Sequence, residues 1–214
     1  MKATADWRLY LVLDRALVRP GCSLESAVRA AAAGGITLVQ LRHKAGRVRD
    51  VLSDASLLRA VTHELGLPLV IDDHVAVALA AGADGVHLGP EDMPVALARR
   101  LLGPERLIGV SAGTVAEARQ AVDEGADYLG VGAVYQTTTK VDAGEPIGPA
   151  GLHEIVQAVS IPVVGIGGIN AENVGSVIQA GAAGAATASA ILRTPDVSGA
   201  ARSIWEKIES TLRC

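Results

Sequence analysis

The stretch Val163-Val164-Gly165-Ile166-Gly167-Gly168-Ile169-Asn170 runs from a short β-branched segment into a glycine-rich turn. A strand buried on both faces delivers the chain to one end of a sheet, and glycines without a Cβ let backbone N–H groups converge there. An anion at such a turn meets those N–H groups and the positive end of the following helix. Farther on, Ala188-Ser189-Ala190 closes a second strand-like run over 184–188. Turns after strands seven and eight form the usual phosphate cradle of a (β/α)8 TIM barrel. The pairing predicts that fold, with Gly167, Gly168, Ala188 and Ser189 around a phosphate. A plainer reading has the glycines only turning the chain, with Asn170 as a helix cap.

Working outward from this segment, apolar runs alternate with Ala-rich helical stretches, the pattern of βα units and a parallel sheet. Strands are expected at 9–13, 36–41, 68–71, 85–88, 107–110, 128–131, 163–166 and 184–188, and helices at 23–33, 48–65 and 197–212 among others. Ala33-Gly34-Gly35, Ala81-Gly82, Glu124-Gly125 and Ala180-Gly181 recur just before predicted strands, where glycine ends a helix and turns the chain sharply. An eight-stranded doubly wound open sheet is the alternative.

The 214 residues suit one domain spanning 1–214, at the short end for an eight-unit barrel. Half the residues are hydrophobic but only 2% are aromatic and Phe is absent, so Val, Ile, Leu and Ala must fill the core. A net charge of −4 without a basic block argues against nucleic acid as partner. No run approaches the roughly 18 apolar residues of a membrane span, and the N-terminus lacks a signal-peptide core, so a cytoplasmic protein is expected. Cys22 and Cys214 fit neither a disulfide framework nor a metal-ligand spacing and are expected as free thiols.

Polar residues gather where predicted strands end. In Gln40-Leu41-Arg42-His43-Lys44, alternation aims Gln40, Arg42 and Lys44 into the mouth and turns Leu41 toward the helices, with His43 peripheral. A guanidinium fork beside an ammonium suits a polyphosphate. Asp72-Asp73 and Asp92 follow adjacent strands; they either cap helices or share a hard cation such as Mg²⁺ with phosphate oxygens. His87 is ambiguous, since a lone strand histidine is often a satisfied core residue. Ser111 ends strand five, while Thr114 fits a helix cap. The loop 132–148, with Thr137-Thr138-Thr139-Lys140, is long and rich in donors, fit for a phosphate and for service as a lid.

Taken in order, these motifs resemble thiamine-phosphate synthases from Leu9 to the last helix. The resemblance rests on the segment 40–44, Asp73, His87-Leu88-Gly89 with Asp92, Gly109-Val110-Ser111, the segment 137–140, the glycines at 165–168 and Ala188-Ser189-Ala190. It implies a transferase that joins hydroxymethylpyrimidine pyrophosphate to thiazole phosphate and releases pyrophosphate. By the same resemblance, Gln40, Leu41, Arg42, His43, Lys44, Asp72, Ser111 and Lys140 hold the pyrimidine pyrophosphate, with Arg42, Lys44, Ser111 and Lys140 serving catalysis. Thr137, Thr138, Thr139, Gly167, Gly168, Ala188 and Ser189 hold the thiazole phosphate, and Asp73 and Asp92 bind Mg²⁺ as cofactor. The implied partners are these small molecules, and the sequence leaves a homo-oligomer open.

Some positions depart from the family pattern. Asp72 stands where Asn is usual, Pro90 where Gln is common, Gly113 where His is common and Gln136 where Pro is common. A carboxylate only accepts hydrogen bonds where an amide also donates. The competing readings are a thiazole tautomerase paralogue, which resembles a barrel with a working His at the position of Gly113, and a non-catalytic regulatory barrel binding a phosphorylated ligand.

Overall fold

Eight parallel strands close on themselves in the order β1 to β8 in the computed structural model, which describes residues 5–137, 139 and 144–213. The strands are β1 (Leu9–Asp14), β2 (Leu38–Arg42), β3 (Leu69–Asp72), β4 (Gly85–Leu88), β5 (Leu107–Ala112), β6 (Tyr128–Val131), β7 (Val163–Ile166) and β8 (Gly184–Thr187). Between and after them run α1 (Leu24–Ala33), α2 (Val48–Leu65), α3 (Val75–Ala81), α4 (Val95–Leu102), α5 (Val115–Asp123), α6 (Gly148–Ala158), α7 (Val174–Gln179), α8 (Ser189–Leu192) and α9 (Val197–Leu212). The chain is a (β/α)8 TIM barrel, and the pairing of β1 with β8 excludes the open sheet.

The period of two along each strand builds two cores. Leu9, Leu11 and Leu13 of β1 face the helices and join the large outer cluster, whereas Tyr10 and Val12 face inward with Leu38, Val70, Tyr128, Val164 and Ala186. The Trp7 ring lies 4.4 Å from that of Tyr128, which closes the N-terminal end of the barrel. The repeated glycines are required by backbone geometry: Gly35, Gly82, Gly125 and Gly181 all adopt positive φ, a region side chains enter only with strain.

Observed strands outrun the hydrophobic pattern at their C-terminal ends. β1 continues to Asp14, β3 to Asp72 and β5 to Ala112, because polar inward side chains there reach the open mouth. Helix starts follow local chemistry: Ser23 with Ser26 and Thr114 with Glu117 form capping boxes on α1 and α5. No helix among the described residues is long and apolar enough to cross a membrane. The expectations for Thr138, Lys140 and Cys214 lie outside the described residues.

Candidate active site at the barrel mouth

The C-terminal ends of the strands surround a cavity of about 320 Å³, within the usual range for small-molecule sites. Gln40, Arg42 and Lys44 line one wall with Asp72 and Asp73. Thr137, Thr139, Gly167, Gly168, Ala188 and Ser189 line another. Closure in sequential order sets β2 and β3 across the barrel from β6 and β7, so these walls face each other.

The first wall is dense with charge. Arg42 donates from Nη1 to Asp14 Oδ2, and its Nε lies 3.7 Å from Asp72 Oδ2. Lys44 donates to Asp73, and its Nζ lies 3.4 Å from Asp72 Oδ2. Asp72 Oδ2 is thus buried with ion-pair neighbours but no well-formed hydrogen bond. Burial, then repulsion from Asp73, pushes the Asp72 carboxyl up to about 6, against the opposing pull of Lys44 and Arg42. On Lys44, burial works against the ammonium, but the Asp73 and Asp72 carboxylates outweigh it and raise its pKa.

Asp72 therefore binds its proton more tightly folded than unfolded. Over roughly pH 4 to 6 the folded state carries more of this proton, so this group makes stability fall as pH rises. In metal-free buffer, Asp72→Asn is expected to flatten the decline, read as urea midpoints across that range. Equal slopes for the two proteins would contradict the burial assigned to Asp72.

Asp73 and Asp92 approach within hydrogen-bonding reach of each other. Burial pushes both carboxyls up, but Lys44 and Asp92 hold Asp73 below the usual range, whereas Asp73 adds to the rise at Asp92. Neither acts as a helix cap: α3 starts after His74 and α4 after Pro94, without side-chain cap bonds. Asp92 Oδ2 instead accepts from Gly89 N at 2.7 Å. Asp73 holds φ at 62°, the one non-glycine with positive φ among the described residues, a strain that clusters at functional sites.

Two adjacent hard carboxylates suit Mg²⁺, which takes one or two of them and completes its shell with water and phosphate oxygens. Among the described residues no group of three or more His, Cys, Asp or Glu forms a protein-only cage. The donor set therefore fits a cation shared with a phosphorylated ligand.

The opposite wall is backbone-rich. Gly167 and Gly168 adopt φ of 98° and 64°, and a Cβ on Gly168 would lie 2.5 Å from Gln136 O and 2.8 Å from Tyr135 Cβ. That close approach follows from two ties, Val134 N to Ile166 O at 2.8 Å and Tyr135 N to Gly167 O at 3.0 Å, which pin the start of the 132–148 loop to the end of β7. Thr139 Oγ1 donates to Ser189 Oγ at 3.4 Å, joining the loop to the start of α8. The N–H groups of Ser189 and Ala190 open α8, where a helix provides no internal acceptor. Asn170 Oδ1 accepts from Glu172 N and Asn173 N, so Asn170 shapes the turn ahead of α7 rather than lining the cavity.

Two residues expected to hold the pyrimidine pyrophosphate have side chains turned elsewhere. Leu41 is 0% exposed in the outer core, as strand alternation dictates. His43 Nδ1 lies 3.0 Å from Asp54 Oδ2 of α2, with Gly46 packed on its ring, so this imidazole braces β2 against α2.

Asp14, Tyr10 and Tyr128 belong to the barrel interior around the site without a motif that announces them, and His87, ambiguous in the sequence, takes a defined place. His87 Nδ1 lies 3.0 Å from Tyr128 Oη, and its Nε2 lies 3.0 Å from Ser111 Oγ. The available signal was position: Tyr10 and Asp14 share the inward face of β1, and only 3 tyrosines occur in the chain.

Comparison with known proteins identifies the family. The sequence pattern of the family described as thiamine monophosphate synthase matches residues 9–191. The thiamine-phosphate synthase of Chloroflexus aurantiacus is 53% identical over 206 residues, covering 96% of this chain and 94% of the relative. That of Moorella thermoacetica is 48% identical over 203 residues, covering 95% and 96%. A solved thiamine phosphate pyrophosphorylase from Pyrococcus furiosus superposes with a TM-score of 0.89 at 40% identity, covering 97% of this chain and 98% of that one. On the strength of these matches along nearly its whole length, the chain belongs to the thiamine monophosphate synthase family of transferases.

Proposed function

We propose that the barrel mouth condenses hydroxymethylpyrimidine pyrophosphate with thiazole phosphate to give thiamine phosphate and pyrophosphate. The observation that carries this reading is the pair of facing walls, one cationic with adjacent carboxylates and one rich in backbone N–H groups, in a single cavity. One wall suits a pyrophosphate and the other a monophosphate, and the reaction needs both.

In this reading the bond between the pyrimidine methylene carbon and its pyrophosphate oxygen breaks, and the electron pair leaves with pyrophosphate. Arg42 and Lys44 neutralise the charge developing on the departing group, together with Lys140, while the Ser111 hydroxyl holds the pyrimidine in place for that step. Asp73 and Asp92 would hold Mg²⁺, which when bound would supply further charge neutralisation for the departing pyrophosphate. The thiazole nitrogen then donates its lone pair to the methylene cation and forms the new C–N bond. Thr137, Thr138, Thr139, Gly167, Gly168, Ala188 and Ser189 hold the thiazole by its phosphate so that this nitrogen faces the cation. No nucleophilic side chain is required, because the chemistry lies in stabilising the leaving group and excluding water. Residues 132–148 serve as the lid that excludes it. Gly113, which lines the cavity without an imidazole, gives the tautomerase reading no base.

The walls are separable by kinetics. Lys44→Ala should raise the KM for the pyrimidine pyrophosphate by about tenfold or more and leave the KM for the thiazole phosphate nearly unchanged. Gly168→Ala, whose Cβ would push on Gln136 and Tyr135, should do the reverse. Equal effects of both variants on both substrates would overturn the two-wall assignment.

A further inference from the structure

Five side chains link across the inside of the barrel beneath the cavity. Gln40 Nε2 donates to Tyr10 Oη at 2.9 Å, Tyr10 Oη lies 2.9 Å from Tyr128 Oη, and Tyr128 Oη lies 3.0 Å from His87 Nδ1. His87 Nε2 then meets Ser111 Oγ at 3.0 Å. The chain crosses from β2 through β1, β6 and β4 to β5, and all its members line the cavity. Gly109 makes room for it, since a Cβ there would overlap the Tyr128 ring.

We infer that these residues form one directional hydrogen-bond wire, in which the amide orientation of Gln40 fixes the tautomer of His87 and hence the donor that Ser111 presents to the ligand. The direction follows from proton counting. Tyr10 and Tyr128 are fully buried, and burial raises both phenols, so each keeps one proton. Tyr10 accepts from Gln40; among the described residues the acceptor in reach of its own proton is Tyr128. A buried O–H without an acceptor is costly, so Tyr10 donates to Tyr128 and Tyr128 donates to His87 Nδ1. A neutral imidazole that accepts at Nδ1 carries its proton on Nε2 and donates to Ser111. Ser111 Oγ, already accepting, is left to send its own proton into the cavity.

The floor therefore offers an acceptor at Gln40 Oε1 and a donor at Ser111. That pattern matches an aminopyrimidine, which carries amino N–H groups and ring-nitrogen lone pairs side by side, and mismatches an oxo analogue whose donor and acceptor are exchanged. The ligand half rests on the proposed pyrimidine substrate, whereas the wire itself needs no substrate. Tyr10, Tyr128 and His87 are positioning residues, acting on the ligand through Gln40 and Ser111.

The test is ring ¹⁵N NMR of the substrate-free protein at a pH where histidine is neutral. Wild-type His87 should show the Nε2–H tautomer. Gln40→Glu places an accept-only carboxylate at the head of the wire, so Tyr10 must donate to it and every bond reverses; His87 should switch to Nδ1–H. Adding Tyr128→Phe to Gln40→Glu should abolish the switch. A wild-type Nδ1–H tautomer, no change in Gln40→Glu, or a switch that survives Tyr128→Phe would each overturn the inference. Should Gln40→Glu fail to fold, Tyr10→Phe keeps the ring and cuts the wire. With the Tyr10 hydroxyl gone, Tyr128 must still donate to His87 Nδ1, so Tyr10→Phe should keep the Nε2–H tautomer. Tyr128→Phe, which removes that donor, should yield a mixture. A mixture in Tyr10→Phe or a pure Nε2–H signal in Tyr128→Phe would contradict the wire.

Discussion

Arg42→Ala is expected to lower kcat by about a hundredfold, the usual cost of removing one preorganised charge from a site where charge develops. The same substitution strands Asp14, whose side chain is 6% exposed and whose Oδ2 accepts from Arg42. Breaking a buried pair on one side costs of order 3 kcal/mol, so Arg42→Ala should also lower the urea midpoint. The two effects can be parted. Adding Asp14→Asn removes the orphaned charge and should restore much of the stability without restoring turnover. A double variant that regains both would make Arg42 a structural residue only, and an unchanged kcat in the single variant would contradict its role on the leaving group.

Asp73→Asn should reduce turnover by at least about tenfold at saturating substrates and raise the Mg²⁺ concentration needed for half-maximal rate. Asparagine tolerates the left-handed backbone that Asp73 occupies, so the fold should survive the change. Removing this charge also frees Lys44 from its main partner and relieves repulsion at Asp92, whose carboxyl should titrate lower. If Asp73→Asn keeps wild-type rate and the same Mg²⁺ dependence, the carboxylates at 73 and 92 do not hold the cation. Titration of Mg²⁺ against steady-state rate for both proteins decides the matter.

How far the sequence could be read depended on range. The barrel was legible because its causes are local: β-branched runs, capping residues and glycines forced to positive φ at 35, 82, 125 and 181 all act within a few residues. Gln40 and Arg42 were legible because the period of two puts them on one face of β2, and Lys44, two residues past Arg42 in the turn that follows, lines the same cavity. Leu41 and His43 belonged to the same motif, but a sequence motif does not distinguish residues facing a ligand from residues bracing the strand that carries them. The same alternation that points Arg42 into the mouth buries Leu41 among the helices. Asp14 and the Tyr10–Tyr128–His87 chain were illegible because their partners lie on other strands, separated by 28 to 118 residues along the chain. A tyrosine pointing into a barrel is indistinguishable from core filling until its hydroxyl partner is placed.

The departure at Asp72 also acquires a physical setting. An amide there would be neutral, whereas the carboxylate adds charge between Arg42 and Lys44, close to the proposed pyrophosphate position. Because burial pushes Asp72 up to about 6 and both cations face it, the added charge is partly offset inside the site itself. Arg42 and Lys44 are each matched by a carboxylate, Asp14 and Asp73, so this wall suits a polyphosphate that arrives together with a divalent cation.

The most direct test of the proposed condensation is to incubate the purified protein with hydroxymethylpyrimidine pyrophosphate, thiazole phosphate and Mg²⁺ and to quantify both products. Thiamine phosphate and pyrophosphate are expected in equal amounts, with neither formed when either substrate is left out. Measurable binding of both substrates without thiamine phosphate above background would contradict the proposed condensation.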